Sequence, residues 1–219
     1  GKVNNFFCIF VKLMHTKMIH IEQFIVNPFQ ENCSIVWDND GRCAVVDPGY
    51  IDAERNDIVA LIERKNLKPA CILLTHAHFD HIYGLPSLLE TYPECKIITN
   101  QYGKEALGDD KLNLSRYHDN SIIVKSDNII CYKDGDEIEL FENIVVTIYE
   151  TPGHNPSCLT YLCDDYIFTG DSYIPGIKVV TNLPKGNKIQ AQESLNKIQT
   201  LIGNRTICPG HGEMVKVEG

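Results

Sequence analysis

The stretch Ala70-Cys71-Ile72-Leu73-Leu74-Thr75-His76-Ala77-His78-Phe79-Asp80-His81 decides how this chain is read. Its first part, Ala70 to Leu74, is a short unbroken apolar run, the pattern of a strand buried on both faces. Its second part, T-H-A-H-F-D-H, sets three histidines and an aspartate at the end of that strand. In extended chain, residues i and i+2 point the same way, so His76 and His78 address one ion together. Asp80 and His81 lie just past the strand, where the chain bends and presents ligands to a second ion.

Such a cluster does not complete a site, because a catalytic zinc takes about three protein ligands and an open position. Three further candidates follow strands. They are His154 in T-P-G-H, Asp171 in F-T-G-D, which comes 17 residues later, and His211 in P-G-H-G, a further 40 residues on. Glycine beside such a ligand lets the backbone turn sharply and approach closely. A single histidine at a strand end is ordinarily a core or surface residue with its bonds met, but this constellation at one sheet edge builds an open polar site. His15, His20 and His118 have no partner motif and are read as non-ligands. Tyr117, Tyr173 and Lys178 are candidates for the pocket wall, with packing as the alternative for the tyrosines.

Outward from this centre the pattern alternates between strands and helices. Strands are expected at Met18–Phe24, Asn32–Trp37 and Arg42–Val46, the last two joined by a turn at Asp38-Asn39-Asp40-Gly41. A helix follows, with Asp52 as its N-cap and Ile58, Leu61 and Ile62 at helical spacing. A helix at Pro86–Thr91 and a strand at Lys96–Thr99 precede a polar middle from Asn100 to Asn128, which carries some helix. Beyond it come strands at Glu137–Leu140, Ile144–Tyr149, Leu159–Cys163 and Tyr166–Phe168. Asn187 caps a last helix closed by Gly203, and a strand at Thr206–Cys208 leads into P-G-H-G. Two β-rich halves, each with helices, fit two sheets covered outside by helices, an α/β architecture.

Composition narrows the function. The chain has 219 residues, of which 43% are hydrophobic and 22% charged, so it can bury a core and is not disordered. Its formal net charge of −9 argues against nucleic acid as a partner. Nine cysteines, an odd number without a C-x-x-C pair, read as small buried hydrophobes in a reducing cytoplasm rather than as a disulfide framework. The apolar run Phe6–Met14 is too short to span a bilayer, which takes about 20 residues. Residues 1–17 are taken as an N-terminal extension, native or added, and residues 18–219 as one domain. No membrane partner is expected, and the oligomeric state stays open.

With T-H-A-H-F-D-H, T-P-G-H, T-G-D and P-G-H-G in this order, the chain resembles the metallo-β-lactamase superfamily, and within it the glyoxalase II (hydroxyacylglutathione hydrolase) group. The resemblance runs over about residues 18–217. It implies an αβ/βα four-layer sandwich, two mixed β-sheets flanked by helices, with a dinuclear metal centre. By motif, His76, His78 and His154 hold the first ion, Asp80, His81 and His211 the second, and Asp171 bridges both. The ions are expected to be zinc, with iron or manganese as alternatives, since histidine and carboxylate suit all three. Asp47, in V-V-D-P-G, matches an early aspartate of the superfamily and is read as bonded to a ligand or its loop, with a plain strand-ending turn as the alternative.

The activity implied is hydrolysis of a thioester or related acyl bond in a small-molecule substrate. A metal-bridging hydroxide is the nucleophile, with Asp80 and Asp171 as the catalytic carboxylates. No serine nucleophile elbow is present. A lactonase is the alternative. A true β-lactamase, a mononuclear iron persulfide dioxygenase, an RNA-processing nuclease and a non-catalytic binding module fit less well. The chain departs from glyoxalase II in three places. Tyr83-Gly84 stands where Gly-Gly is usual, narrowing the site or offering a proton donor. Asn155-Pro156-Ser157-Cys158 follows His154, and Ser172-Tyr173-Ile174-Pro175 follows Asp171. Only eight residues follow His211, without the helical segment that grips glutathione, so binding of glutathione thioesters is expected to be weak.

Overall fold

A computed structural model describes residues 18–50, 52–118 and 120–218. The expectations for residues 1–17, including His15 and Cys8, and for the Asp52 cap fall outside the residues or side chains described. The first sheet has six strands in the order β1 (His20–Val26), β2 (Glu31–Trp37), β3 (Arg42–Val46), β4 (Lys68–Leu73), β5 (Lys96–Thr99) and β6 (Ile129–Cys131). Strands β1 to β3 form an antiparallel meander, and β3 to β6 run parallel. The parallel half needs crossovers. These are α1 (Asp52–Arg64), α2 (Phe79–Ile82) with α3 (Leu85–Thr91), and α4 (Gln101–Leu107).

The second sheet also has six strands. They are β7 (Glu137–Phe141), β8 (Ile144–Glu150), β9 (Leu159–Cys163), β10 (Tyr166–Gly170), β11 (Thr206–Pro209) and β12 (Val215–Lys216), neighbours in that order. It is antiparallel except for β10 and β11, which α5 (Lys188–Ile202) connects as a parallel pair.

The side-chain alternation of the strands explains the layers. In β2 and β3, Cys33, Ile35, Cys43 and Val45 pack outward against Ile58, Leu61 and Ile62 of α1. Their neighbours Val36, Ala44 and Val46 face Val146, Ile148 and Tyr161 of the second sheet. In β10 and β11, Phe168 and Cys208 face the first sheet, while Ile167 and Ile207 meet Ile198 of α5. The molecule is therefore helix, sheet, sheet, helix, the four-layer sandwich read from the sequence. The strands at Arg42–Val46, Lys96–Thr99 and Leu159–Cys163 have the expected bounds, and β1 starts two residues later than expected. Three elements were not anticipated: α2, β6 and β12. Each is four residues or shorter, too brief to show a period.

Candidate metal centre

The strands deliver the polar loops to one edge of the sandwich. There the first sheet is tied to the second: Leu159 N donates to Thr75 O at 2.7 Å, and Tyr161 Oη donates to Leu74 O at 2.7 Å. Thr75 is held further by Asp47, whose Oδ1 accepts from Thr75 N at 2.7 Å and whose Oδ2 accepts from Thr75 Oγ1 at 2.5 Å.

All seven candidate ligands come together at this edge. His76, His78 and His154 each offer one ligand atom within 4.8 Å of one another, and so do Asp80, His81 and His211. A third such group, His76, His81 and Asp171, joins the two. Asp171 faces both sides. Its Oδ2 lies 3.5 Å from His154 Nε2, and its Oδ1 lies 3.6 Å from both His81 Nε2 and His211 Nε2. Asp80 Oδ2 lies 3.5 Å from His211 Nε2 and 3.9 Å from His81 Nε2. Gly210 permits this closeness, since a Cβ there would stand 2.3 Å from Asp171 Oδ1 and 2.8 Å from His81 Cε1.

Outer hydrogen bonds fix which ring nitrogen faces inward. His154 Nδ1 donates to Val180 O at 2.8 Å, His81 Nδ1 to Asp47 Oδ2 at 3.0 Å, and His211 Nδ1 to Gln30 O at 3.1 Å. In each ring Nε2 is left for the centre, the arrangement a metal-binding imidazole requires. Asp47 thus bonds both to His81 and to the loop carrying His76. On the far side, Asn155 and Ser157 brace the histidine segment. Asn155 Nδ2 is 2.8 Å from His78 Nε2, and Ala77 N donates to Ser157 Oγ at 2.9 Å.

A cation fits these residues. Among the described side chains, His76 Nε2, His81 Nε2 and Asp171 Oδ1 are buried without a hydrogen-bond partner, although they face one another across the same space. Each orphaned buried polar atom costs about 1–3 kcal/mol, which a shared cation offsets. The electrostatics agree. Burial, with the neighbouring imidazoles, holds His76 well below its ordinary pKa and brings His78 down to about 3, so both stay neutral with a lone pair to give. At the other end burial opposes charge, but His81 and His211 outweigh it and hold Asp80 below the usual carboxylate range. The converse holds for His81 and His211, which Asp80, Asp47 and Asp171 push up against the effect of burial. This end of the site favours positive charge.

The remaining candidates sort by position. His20 stacks on Trp37 and bonds Asn39, away from the centre. His118 stacks on Phe79 at 3.6 Å between ring centroids and belongs to none of the ligand groups. Tyr117 is 67% exposed. Tyr83 Oη accepts from Asn120 Nδ2 at 2.7 Å. Tyr173 and Lys178 line a cavity of about 510 Å³ between the 173–181 segment and α5, whose wall also includes Lys188, Gln192 and Leu195. That segment carries Val180, the partner of His154. Sequence reasoning missed Glu31, Asn32 and Asn155. The one available signal was a polar pair, Glu31-Asn32, at the head of an otherwise apolar strand.

A family model described as the metallo-beta-lactamase superfamily matches residues 26–211. The chain is 31% identical over 186 residues to the hydroxyacylglutathione hydrolase of Citrobacter koseri, an overlap of 84% of this chain and 62% of that protein. It therefore spans about three-fifths of the length of that curated relative. The solved structure of the BLEG-1 B3 metallo-beta-lactamase is 27% identical, with a TM-score of 0.79 over 90% of this chain and 94% of that one. The structure of TTHA1623 in a di-iron-bound form is 24% identical, with a TM-score of 0.75 over 89% and 94% of the two chains, a likeness of fold alone.

Proposed function

The chain belongs to the metallo-beta-lactamase superfamily, and from that premise we propose that it is a dinuclear metal-dependent hydrolase of a thioester or related acyl bond. The observation that carries this reading is Asp171, with one oxygen toward His154 and the other toward His81 and His211. His76, His78 and His154 would hold one ion and Asp80, His81 and His211 the other, with Asp171 placed between the two groups. Two divalent ions there, zinc first and iron or manganese next, supply an acidified water and a Lewis acid for the acyl oxygen.

The protein's part is positioning. Asp80, held ionised by His81 and His211, accepts a hydrogen bond from the attacking water and orients it. Val180, Asp47 and Gln30 hold three imidazoles so that no ring turns during the reaction. The cavity between the 173–181 segment and α5 offers an apolar wall with Lys178 and Lys188 for the rest of a small-molecule substrate. The net charge of −9 supports a small molecule over a nucleic acid, and the reading of the cysteines supports a cytoplasmic enzyme. No helix among the described residues is long and apolar enough to cross a membrane.

The test is metal analysis of the purified protein beside steady-state kinetics on S-lactoylglutathione, a plain acyl thioester, a lactone and a β-lactam. Close to two metal equivalents and fastest turnover of a thioester support the reading. Stoichiometry that stays near one after metal loading sinks the dinuclear centre and favours a mononuclear enzyme. The β-lactam is included because of the likeness to a B3 metallo-beta-lactamase.

A further inference from the structure

The head of β2 lies against the second ligand group and touches both of its histidines. Glu31 is fully buried, at 0% exposure, and neither of its carboxylate oxygens has a hydrogen-bond partner. Burying such a group is costly, and surplus carboxylates are rarely kept in a core without a task. Its Oε1 lies 3.7 Å from His81 Nδ1, the nitrogen that donates to Asp47. With Asp47 it forms a backing of two carboxyl groups behind one imidazole. The chain makes room for it at Gly49, where a Cβ would stand 2.3 Å from Glu31 Oε2.

The neighbouring residues reach the other histidine. Asn32 N donates to Gly210 O at 2.8 Å, and Asn32 Nδ2 donates to Pro209 O at 2.9 Å and to Gly212 O at 2.7 Å. The P-G-H-G loop is thus gripped on both sides of His211. Gln30 O accepts from His211 Nδ1, and Glu31 pairs with His211 in an isolated antiparallel bridge. No comparable contact runs from β2 to His78 or His154 among the bonds of the described residues. Those two are braced by Asn155 and Val180 instead.

We propose that Glu31 and Asn32 are positioning residues for the second ion alone, Glu31 by backing the His81 ring and Asn32 by fixing the loop that carries His211. The inference rests on the dinuclear reading above. It divides the labour of the protein: one strand head governs how firmly the second ion is held, independently of the first. Outer partners of metal ligands change affinity by roughly 10–100-fold when removed.

The test is a stepwise cobalt(II) titration of the metal-free full chain, followed by visible absorption and by metal analysis, with thermal unfolding of each metal-free variant. Wild type takes two equivalents. In Glu31→Ala and in Asn32→Leu, which keeps the bulk of Asn32 but not its donors, the second equivalent binds at least about tenfold more weakly. The first binds within twofold of wild type. Glu31→Gln keeps the shape and an acceptor oxygen, and it restores the second step. Second-step affinity unchanged in both Glu31→Ala and Asn32→Leu overturns the proposal. So does equal weakening of both steps, which marks a general structural loss, or a Glu31→Gln as poor as Glu31→Ala. A wild type that takes one equivalent overturns the dinuclear reading and this inference with it.

Discussion

Asp171 sits where the two histidine groups meet, and its substitution separates a shared ligand from a private one. Asp171→Ala removes oxygens that face three imidazoles, so we expect loss of the second metal equivalent and of nearly all turnover. His118→Ala, which removes a ring stacked on Phe79, is expected to keep both. Metal analysis and kinetics on the two variants check the pair, and the opposite result would refute the ligand map. Asp47 works through others. It accepts from Thr75 N at one oxygen and from Thr75 Oγ1 and His81 Nδ1 at the other, and an amide in its place keeps one acceptor oxygen but turns an N–H2 group toward the donors on the other side. Asp47→Asn is expected to weaken metal binding by about 10–100-fold, measured by competition with a chelator. At this scale the sequence was informative because ligands are rare residue types at distinctive spacing. Asp47 stood out by its turn. Glu31 and Asn155 did not, since a polar residue at a strand head or after a histidine is commonplace until the fold shows what it touches.

Elements were legible where their periodicity was long enough to register. The apolar runs of β3, β4, β5 and β9 and the amphipathic stretch of α5 announced themselves. In β6, β12 and α2 there are too few residues to distinguish strand, helix and loop, and their form is set by partners far along the chain. Strand β6 exists because β5 offers it a parallel edge, pairing Ile97 with Ile129. Caps are local, and the one at Asn187 was readable. Its Oδ1 accepts from Ile189 N at 2.9 Å and Gln190 N at 3.2 Å, meeting two of the otherwise unbonded donors at the start of α5. Asn187→Ala is expected to cost about 1 kcal/mol, read as a lower urea midpoint at unchanged slope. Asn187 N also donates to Gly153 O, beside His154, so the same helix start anchors the loop of a ligand.

For the whole molecule the cysteines make a claim about stability. Eight are described, and seven of them are buried, with Cys131 exposed. They fill the layers: Cys33, Cys43 and Cys95 lie under the helices, and Cys71, Cys163 and Cys208 lie between the sheets. Burial pushes the thiols of Cys43, Cys71, Cys158, Cys163 and Cys208 up to about 12, from an ordinary value of 9.0. An unfolded chain therefore loses these protons near pH 9, while the folded chain keeps them until about pH 12. Between those values the native state binds more protons than the unfolded one, so stability falls as pH rises. The contribution is complete below pH 9 and is gone once the folded thiols ionise. Tyr161, which burial also holds well above its ordinary range, acts in the same direction. We expect the thermal midpoint to decline from about pH 9 upward, with a shallower decline in Cys43→Ala, which removes one such thiol, and a smaller change in Cys131→Ser, whose exposed thiol burial raises less. A midpoint that stays level between pH 9 and pH 11 would contradict this account of the core, because thiols that ionise at no cost are not packed between layers.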